Sequence, residues 1–237
     1  TLDAVGLELT DVEFALGIFS DQADPTRTWT ALQATAGNFG FIGVEDLSVT
    51  GTTLSVSINQ APVGEDVANF AVNSVAVKTG PSSSKDLDLD GSRGELLEVS
   101  GNLDVDVFGF FQVSGGFAFV KSEAMVPVFL DEVTSDVSVE LLTIGARDVN
   151  AFAGVGGTLG LDLVDVDLAL ILAQEKSAGA RQWTALEATV GSASFIGVDG
   201  LTLSGDTLAV TINQAAADSS LLDFSDAPLA VINGPDS

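Results

Sequence analysis

Residues 54–59 read LSVSIN and residues 208–213 read LAVTIN. In the first, Leu54, Val56 and Ile58 alternate with Ser55, Ser57 and Asn59, and the second keeps the pattern. An apolar–polar period of two puts successive side chains on opposite faces of a β-strand. The same period runs through DVEFALGIF at 11–19, DVDLALILA at 165–173 and LDVDV at 103–107. Between such runs stand Thr50-Gly51, Ser100-Gly101-Asn102, Ser114-Gly115-Gly116, Asp199-Gly200 and Ser204-Gly205-Asp206. Read as turns, they divide the chain into strands of about five to eight residues. The expected fold class is therefore all-β: an elongated tandem-repeat antiparallel meander, solenoid-like or built of stacked sandwiches. In WTALQAT at 29–35, Trp29 and Ala31 share one face while Leu32 and Ala34 share the other. Apolar residues on both faces call for cover on both sides, by a second layer or a neighbouring molecule.

The two tryptophans supply a longer period. Trp29 and Trp183 stand 183 − 29 = 154 residues apart, inside RTWTALQATAG and RQWTALEATVG. At that offset residues 6–83 align with 160–237 without a gap, and 34 of 78 positions are identical. The expected organisation is a first full repeat unit over 1–153 and the first half of a second over 154–237. The second copy stops where KDLDLDGSRGE would follow, so the chain reads as a piece of a longer tandem array, in which neighbouring units stabilise one another.

Composition narrows the function classes. The chain of 237 residues carries 34 acidic and 8 basic side chains, a formal charge of −26. Nucleic acid is not an expected partner, because phosphate recognition needs clustered Lys and Arg. Membrane insertion is not expected either, since no apolar run approaches the roughly 18 residues of a spanning helix. An acidic surface attracts cations and keeps an apolar-rich chain in solution. There is no Cys and no His, which removes thiol nucleophiles, Ser-His-Asp sets and zinc-thiolate sites. No phosphate-cradling Gly-rich motif opens a helix. The chain is not expected to be an enzyme, and no catalytic residue is assigned.

Four acids form the candidate metal set. In KDLDLDGSRGELLE at 85–98, Asp86, Asp88, Asp90 and Gly91 reproduce the opening of a calcium loop, where alternate carboxylates converge and Gly permits a sharp turn. The closing position falls on Leu97, with Glu95 and Glu98 on either side of it, and Glu95 completes the candidate ligands. The same acids also read as a strand end facing water. Calcium is the candidate cofactor. Arg27 and Arg181 each precede a tryptophan by two residues, positioned to stack on the indole or pair with acids, so Arg27, Trp29, Arg181 and Trp183 are read as a structural clamp written twice. Asn59 and Asn213 end matching strands, placed to satisfy turn backbone. Phe108 and Phe110 share strand parity with Asp104 and Asp106, which marks an exposed edge for self-association.

The block WTALxATxGxxxFIGVxxLxxxG, the INQA strand end and ELLEVSGNLDVDVFGFFQVSGGFAFVKS together resemble the tandem repeats of very large, acidic bacterial cell-surface or secreted proteins, a group that includes calcium-dependent repeat adhesins. The resemblance spans essentially the whole chain and is most specific in GFFQVSGGFAF. It implies an extracellular or cell-surface array and, by position, Asp86, Asp88 and Asp90 as calcium ligands. The leading expectation is a non-enzymatic structural repeat of a giant extracellular protein, building a fibre, sheath, surface layer or adhesin stalk from neighbouring copies of itself. The alternatives are a calcium-stiffened adhesive module that binds a glycan or cell surface, and a polysaccharide-active β-solenoid enzyme.

Overall fold

The computed structural model describes residues 5–177 and 180–235. Apart from one 3-10 turn at Gly91–Arg93, its regular elements are strands: β1 (Gly6–Thr10), β2 (Glu13–Ser20), β3 (Thr28–Ile42), β4 (Leu47–Gln60), β5 (Val75–Lys78), β6 (Ser84–Leu87), β7 (Leu96–Val107), β8 (Phe111–Leu130), β9 (Val133–Val155), β10 (Leu159–Glu175), β11 (Gln182–Ile196), β12 (Leu203–Gln214) and β13 (Leu221–Leu222). The fold is all-β and consists mainly of one antiparallel meander. Its order is β1-β3-β4-β7-β8-β9-β10-β11-β12, with β2 extending the first edge along β3 and β13 added to β8. Among the described residues the two ends of this sheet do not pair, so it stays open rather than closing into a barrel.

The long strands differ from the expected short ones. Of the five glycine-bearing segments read as turns, only Asp199-Gly200 lies in a turn, whereas Gly51, Gly101, Gly115 and Gly205 lie inside β4, β7, β8 and β12. Several of these segments mark kinks. The ladder register shifts between Thr52 and Ser55, between Ser114 and Gly116, and on β10 between Leu163 and Val166. Nearby, Thr53, Asp148, Asp165 and Thr207 adopt positive φ. A bulge adds a residue to one strand and sharpens its bend without ending it, which is why turn chemistry in the sequence does not end these strands. The β8–β9 hairpin closes instead on Asp131-Glu132, both with positive φ, as a type I′ turn requires; Asp131 is a favoured residue for its position, whereas Glu132 stands where Gly is favoured.

The sequence offset of 154 is visible in the backbone. The pair Gly6↔Ile42 has a counterpart in Gly160↔Ile196, and Ala34↔Val56 has one in Ala188↔Val210. The positive φ values of Asp11 and Thr53, 52° and 57°, are matched by 60° at Asp165 and 55° at Thr207. The expected boundary at 153/154 falls near the end of β9, which pairs with β10 along most of its length, so both segments share one sheet.

Cover lies on one face. In the part of the sheet below the kinks, register places Trp29, Ala31, Asn59, Ala118, Val120, Leu141, Ile171, Ala173 and Trp183 on that face. Residues 61–95 cross it at one end, where Leu87, Leu89, Phe70 and Val77 pack on Ala15 and Ala31. Residues 215–235 cross it at the other, where Ala216, Leu222, Phe224, Leu229 and Val231 pack on Val126, Val139, Leu141, Ile171 and Trp183. The opposite face carries no such layer among the described residues. Its residues include Phe14, Leu16, Ile18, Phe119 and Ile212, all exposed. The expectation of cover on both sides thus holds for one face within this chain.

Candidate functional site

The covered face is built around the two arginine–tryptophan clamps. In β11, Trp183 is 2% exposed, and its Nε1 donates to the carbonyl oxygen of Ser220 at 3.2 Å and to its Oγ at 3.1 Å. The Arg181 guanidinium lies 5.0 Å from the indole centroid and grips Glu175 through Nε and Nη2, at 2.8 and 3.1 Å. It also reaches Asp218 at 3.3 Å. In the first segment, Trp29 Nε1 donates to the Asp66 carbonyl at 2.9 Å, and Arg27 lies 5.4 Å from the ring. Arg27 pairs with Asp21 at 2.8 Å and Glu65 at 2.6 Å. Each arginine therefore ties a strand end to the crossing segment above it, with the indole as a platform. Asn59 and Asn213 do the same at the next strand. Their Nδ2 groups donate to the carbonyls of Ala68 and Leu222, both at 2.8 Å. Trp29 is only half-buried, so the second clamp is the drier of the two.

Hydrogen bonding sets the electrostatics of that clamp. The hydrogen bonds from Arg181 hold the Glu175 carboxyl below its ordinary value. Asp218 is lowered chiefly by hydrogen bonds from Ser220, with Arg181 adding to them. Arg181 itself is raised, first by Glu175. A carboxyl whose folded value is depressed contributes stability above its unfolded value, and the contribution fades as pH falls through the folded value. The melting-temperature deficit of Arg181→Met is therefore expected to be full at neutral pH. It should shrink below the ordinary carboxyl values of 4.5 and 3.8. Thermal melts of both proteins across acidic pH check this, and a deficit independent of pH would refute the ion-pair role.

The four candidate metal ligands have separate engagements. Leu87 and Leu89 point into the core at 0% and 6% exposure, which leaves Asp88 and Asp90 on the outside. Gln33 of β3 latches onto Asp88: its Nε2 donates to Oδ1 at 2.7 Å and its Oε1 accepts from the Asp88 backbone N–H at 2.8 Å. Asp90 caps the 3-10 turn by accepting from Ser92 N at 2.8 Å, which holds its carboxyl below the ordinary value. Glu95 Oε1 accepts from Ala61 N at 3.4 Å. Asp86 sits in β6, paired with Ala76 of β5. Among the described residues no group of three or more Asp, Glu, His or Cys is placed to hold a metal ion.

Phe108 and Phe110 lie beyond the strand whose parity they were expected to share. β7 ends at Val107, and both residues occupy the β7–β8 turn at 57% and 58% exposure. Asp106, counted with them, folds back to accept from Gly109 N at 2.7 Å and from Gln112 Nε2 at 2.8 Å. Sequence reasoning did not find Arg147 of β9, which donates through Nη2 to the Pro235 carbonyl and so pins the end of the second crossing segment. The signal was present in the recurrence of Gly80-Pro81 as Gly234-Pro235. It also missed a hollow of about 360 Å³ that gathers Asp104, Asp106, Asp162, Gln112 and Asn150.

Comparison of the chain with protein-family models, with curated proteins and with solved structures finds no match. No helix among the described residues is long and apolar enough to cross a membrane.

Proposed function

We propose that the chain is a non-enzymatic structural building block of a large extracellular or cell-surface assembly, a tandem-repeat element of a fibre, sheath, surface layer or adhesin stalk. One observation carries the reading: two segments 154 residues apart make matching strand pairs and matching Arg–Trp and Asn locks within a single sheet. A framework repeated this way suits extension, because each added unit offers its neighbour another strand to pair with. The acidic surface supports solubility for such an array.

Extension is directly testable. A copy of residues 84–237 appended after Ser237 continues the period in phase. The lengthened chain is expected to unfold in one transition, with a higher denaturant midpoint and a steeper slope. An added copy that unfolds separately, leaving the original midpoint unchanged, would sink the proposal. Calcium enters as a stiffening ion, with Asp86, Asp88, Asp90 and Glu95 as its candidate ligands. Supporting it is the spacing of Asp86, Asp88 and Asp90 at alternate positions of one stretch, with all three exposed. Melting with millimolar calcium and with chelator decides it: a rise in melting temperature lost in Asp88→Asn supports the ion, and identical curves remove it.

A further inference from the structure

We infer that the uncovered face of the sheet is the surface through which two copies of this chain pack, sheet against sheet. The inference names the contact used by the proposed building block and rests on that reading's self-association.

The face has an unbroken apolar row. Strand register aligns Phe14, Ala34, Val56, Val99, Phe119, Ile144, Leu170, Leu186 and Ile212 side by side across nine strands. On one side of it Leu16, Leu32, Ile58, Leu97, Leu142 and Leu172 continue the surface, and on the other Phe117, Leu168 and Val210. Phe14, Phe119 and Ile212 are 56%, 41% and 45% exposed, in strands whose other face carries core residues. A sheet buries its apolar faces against another layer, and on this face the described residues provide none.

Area favours a second copy. The chain exposes 13975 Å² for 24.2 kDa, whereas a folded monomer of that mass exposes about 10,000 Å². Nine strands at the usual spacing span about 38 Å, and three side-chain rows span about 20 Å. That is about 800 Å² per copy, or about 1,600 Å² in all, the size of a specific stable interface. Aligned sheets pack about 10 Å apart at about 30°, with their side chains interdigitating, and a two-fold axis makes one such face complementary to itself. Charge agrees. Within these three rows the one charged side chain is Lys121, which pairs with Glu140 at 3.5 Å. An opposite-charge pair beside a two-fold axis meets its own copy in reverse order, plus against minus. The net −26 resides elsewhere and opposes association over distance, so added salt strengthens this dimer by screening.

Phe119 stands fifth of the nine in the central row, so a two-fold axis brings it close to its symmetry mate. The chain has no Cys, which makes a single introduced thiol a clean reporter. Phe119→Cys is expected to be linked as a dimer by a short bismaleimide that bridges about 10 Å, and Phe108→Cys at the hairpin tip is not. In sedimentation velocity the unmodified chain should be dimeric and more so at higher salt, and Phe119→Lys should weaken the dimer about 30-fold or more. Circular dichroism of Phe119→Lys confirms that it is folded, and the cysteine variant reads the contact independently.

Cross-linking through Phe108→Cys but not Phe119→Cys would overturn the face contact while leaving self-association standing. A chain that is monomeric at every concentration and salt level, with no Phe119→Cys cross-link, would overturn both; the appended-copy experiment then judges the tandem reading separately. A monomer that floats with phosphatidylcholine vesicles would assign the face to lipid and overturn the inference.

Discussion

Trp183→Ala is expected to destabilise the chain by about 3–5 kcal/mol, a drop of about 6–20 °C in melting temperature for a chain of this length. Trp183 is the largest fully buried side chain, and it lies where Ile171, Ala173 and Leu222 converge. Removing the indole leaves a cavity beneath the second crossing segment. It also strips a donor from the Ser220 carbonyl and the platform from Arg181. Trp29→Ala, at the half-buried counterpart, should cost clearly less. Melts or denaturant titrations of the two variants check the asymmetry. Equal losses would mean that the dry core beneath residues 215–235 does not dominate stability.

Gly145→Val is expected to detach the end of that crossing segment. A Cβ at position 145 would fall inside the Ile232 carbonyl oxygen and 2.6 Å from the Asn233 Cα. Both obstacles are backbone, so no rotamer change relieves them and the segment must lift. Overpacking of this kind costs about 1–3 kcal/mol. Lifting further exposes Leu229 and Val231, which pack on the core, and it strains the Arg147 contact to the Pro235 carbonyl. Limited proteolysis should then cut within residues 223–235 while the sheet stays intact, and the melting temperature should fall. An unchanged digestion pattern and melt would show that the segment does not press on β9 at this point.

Strand identity was legible in the period of two, from LSVSIN and LAVTIN outward, because alternation follows directly from pleat geometry. Strand length was not. The glycines at 51, 101, 115 and 205 carry the composition of turns, but their neighbours remain paired across the sheet and bend there instead. Whether a glycine ends a strand or kinks it depends on the strands alongside, which local sequence does not contain. The clamp residues were legible because so few arginines and only two tryptophans occur, and two of each sit 154 apart. Their acidic partners were not, since Glu175 and Asp218 come from different parts of the chain, brought together only by the crossing segment. The acids of the DLDLDG stretch were legible as a strand end facing water, but their partners were not: Asp86 sits in β6, and Gln33 and the 3-10 turn claim Asp88 and Asp90 individually.

The sequence by itself determined that this protein is all-β, strongly acidic, without thiol or imidazole chemistry, and internally matched at 154 residues. Composition and periodicity are properties of the chain and need no partner to be read. Only the tertiary structure decided that, among the described residues, the meander stays open and its strands run through their glycines. It also decided that the cover these residues provide falls on one face. WTALQAT is apolar on both sides, and nothing local distinguishes the side that receives residues 61–95 from the side left bare. That choice is made by where the crossing segments land, through contacts between residues far apart in the chain. It leaves Phe14, Phe119 and Ile212 facing outward.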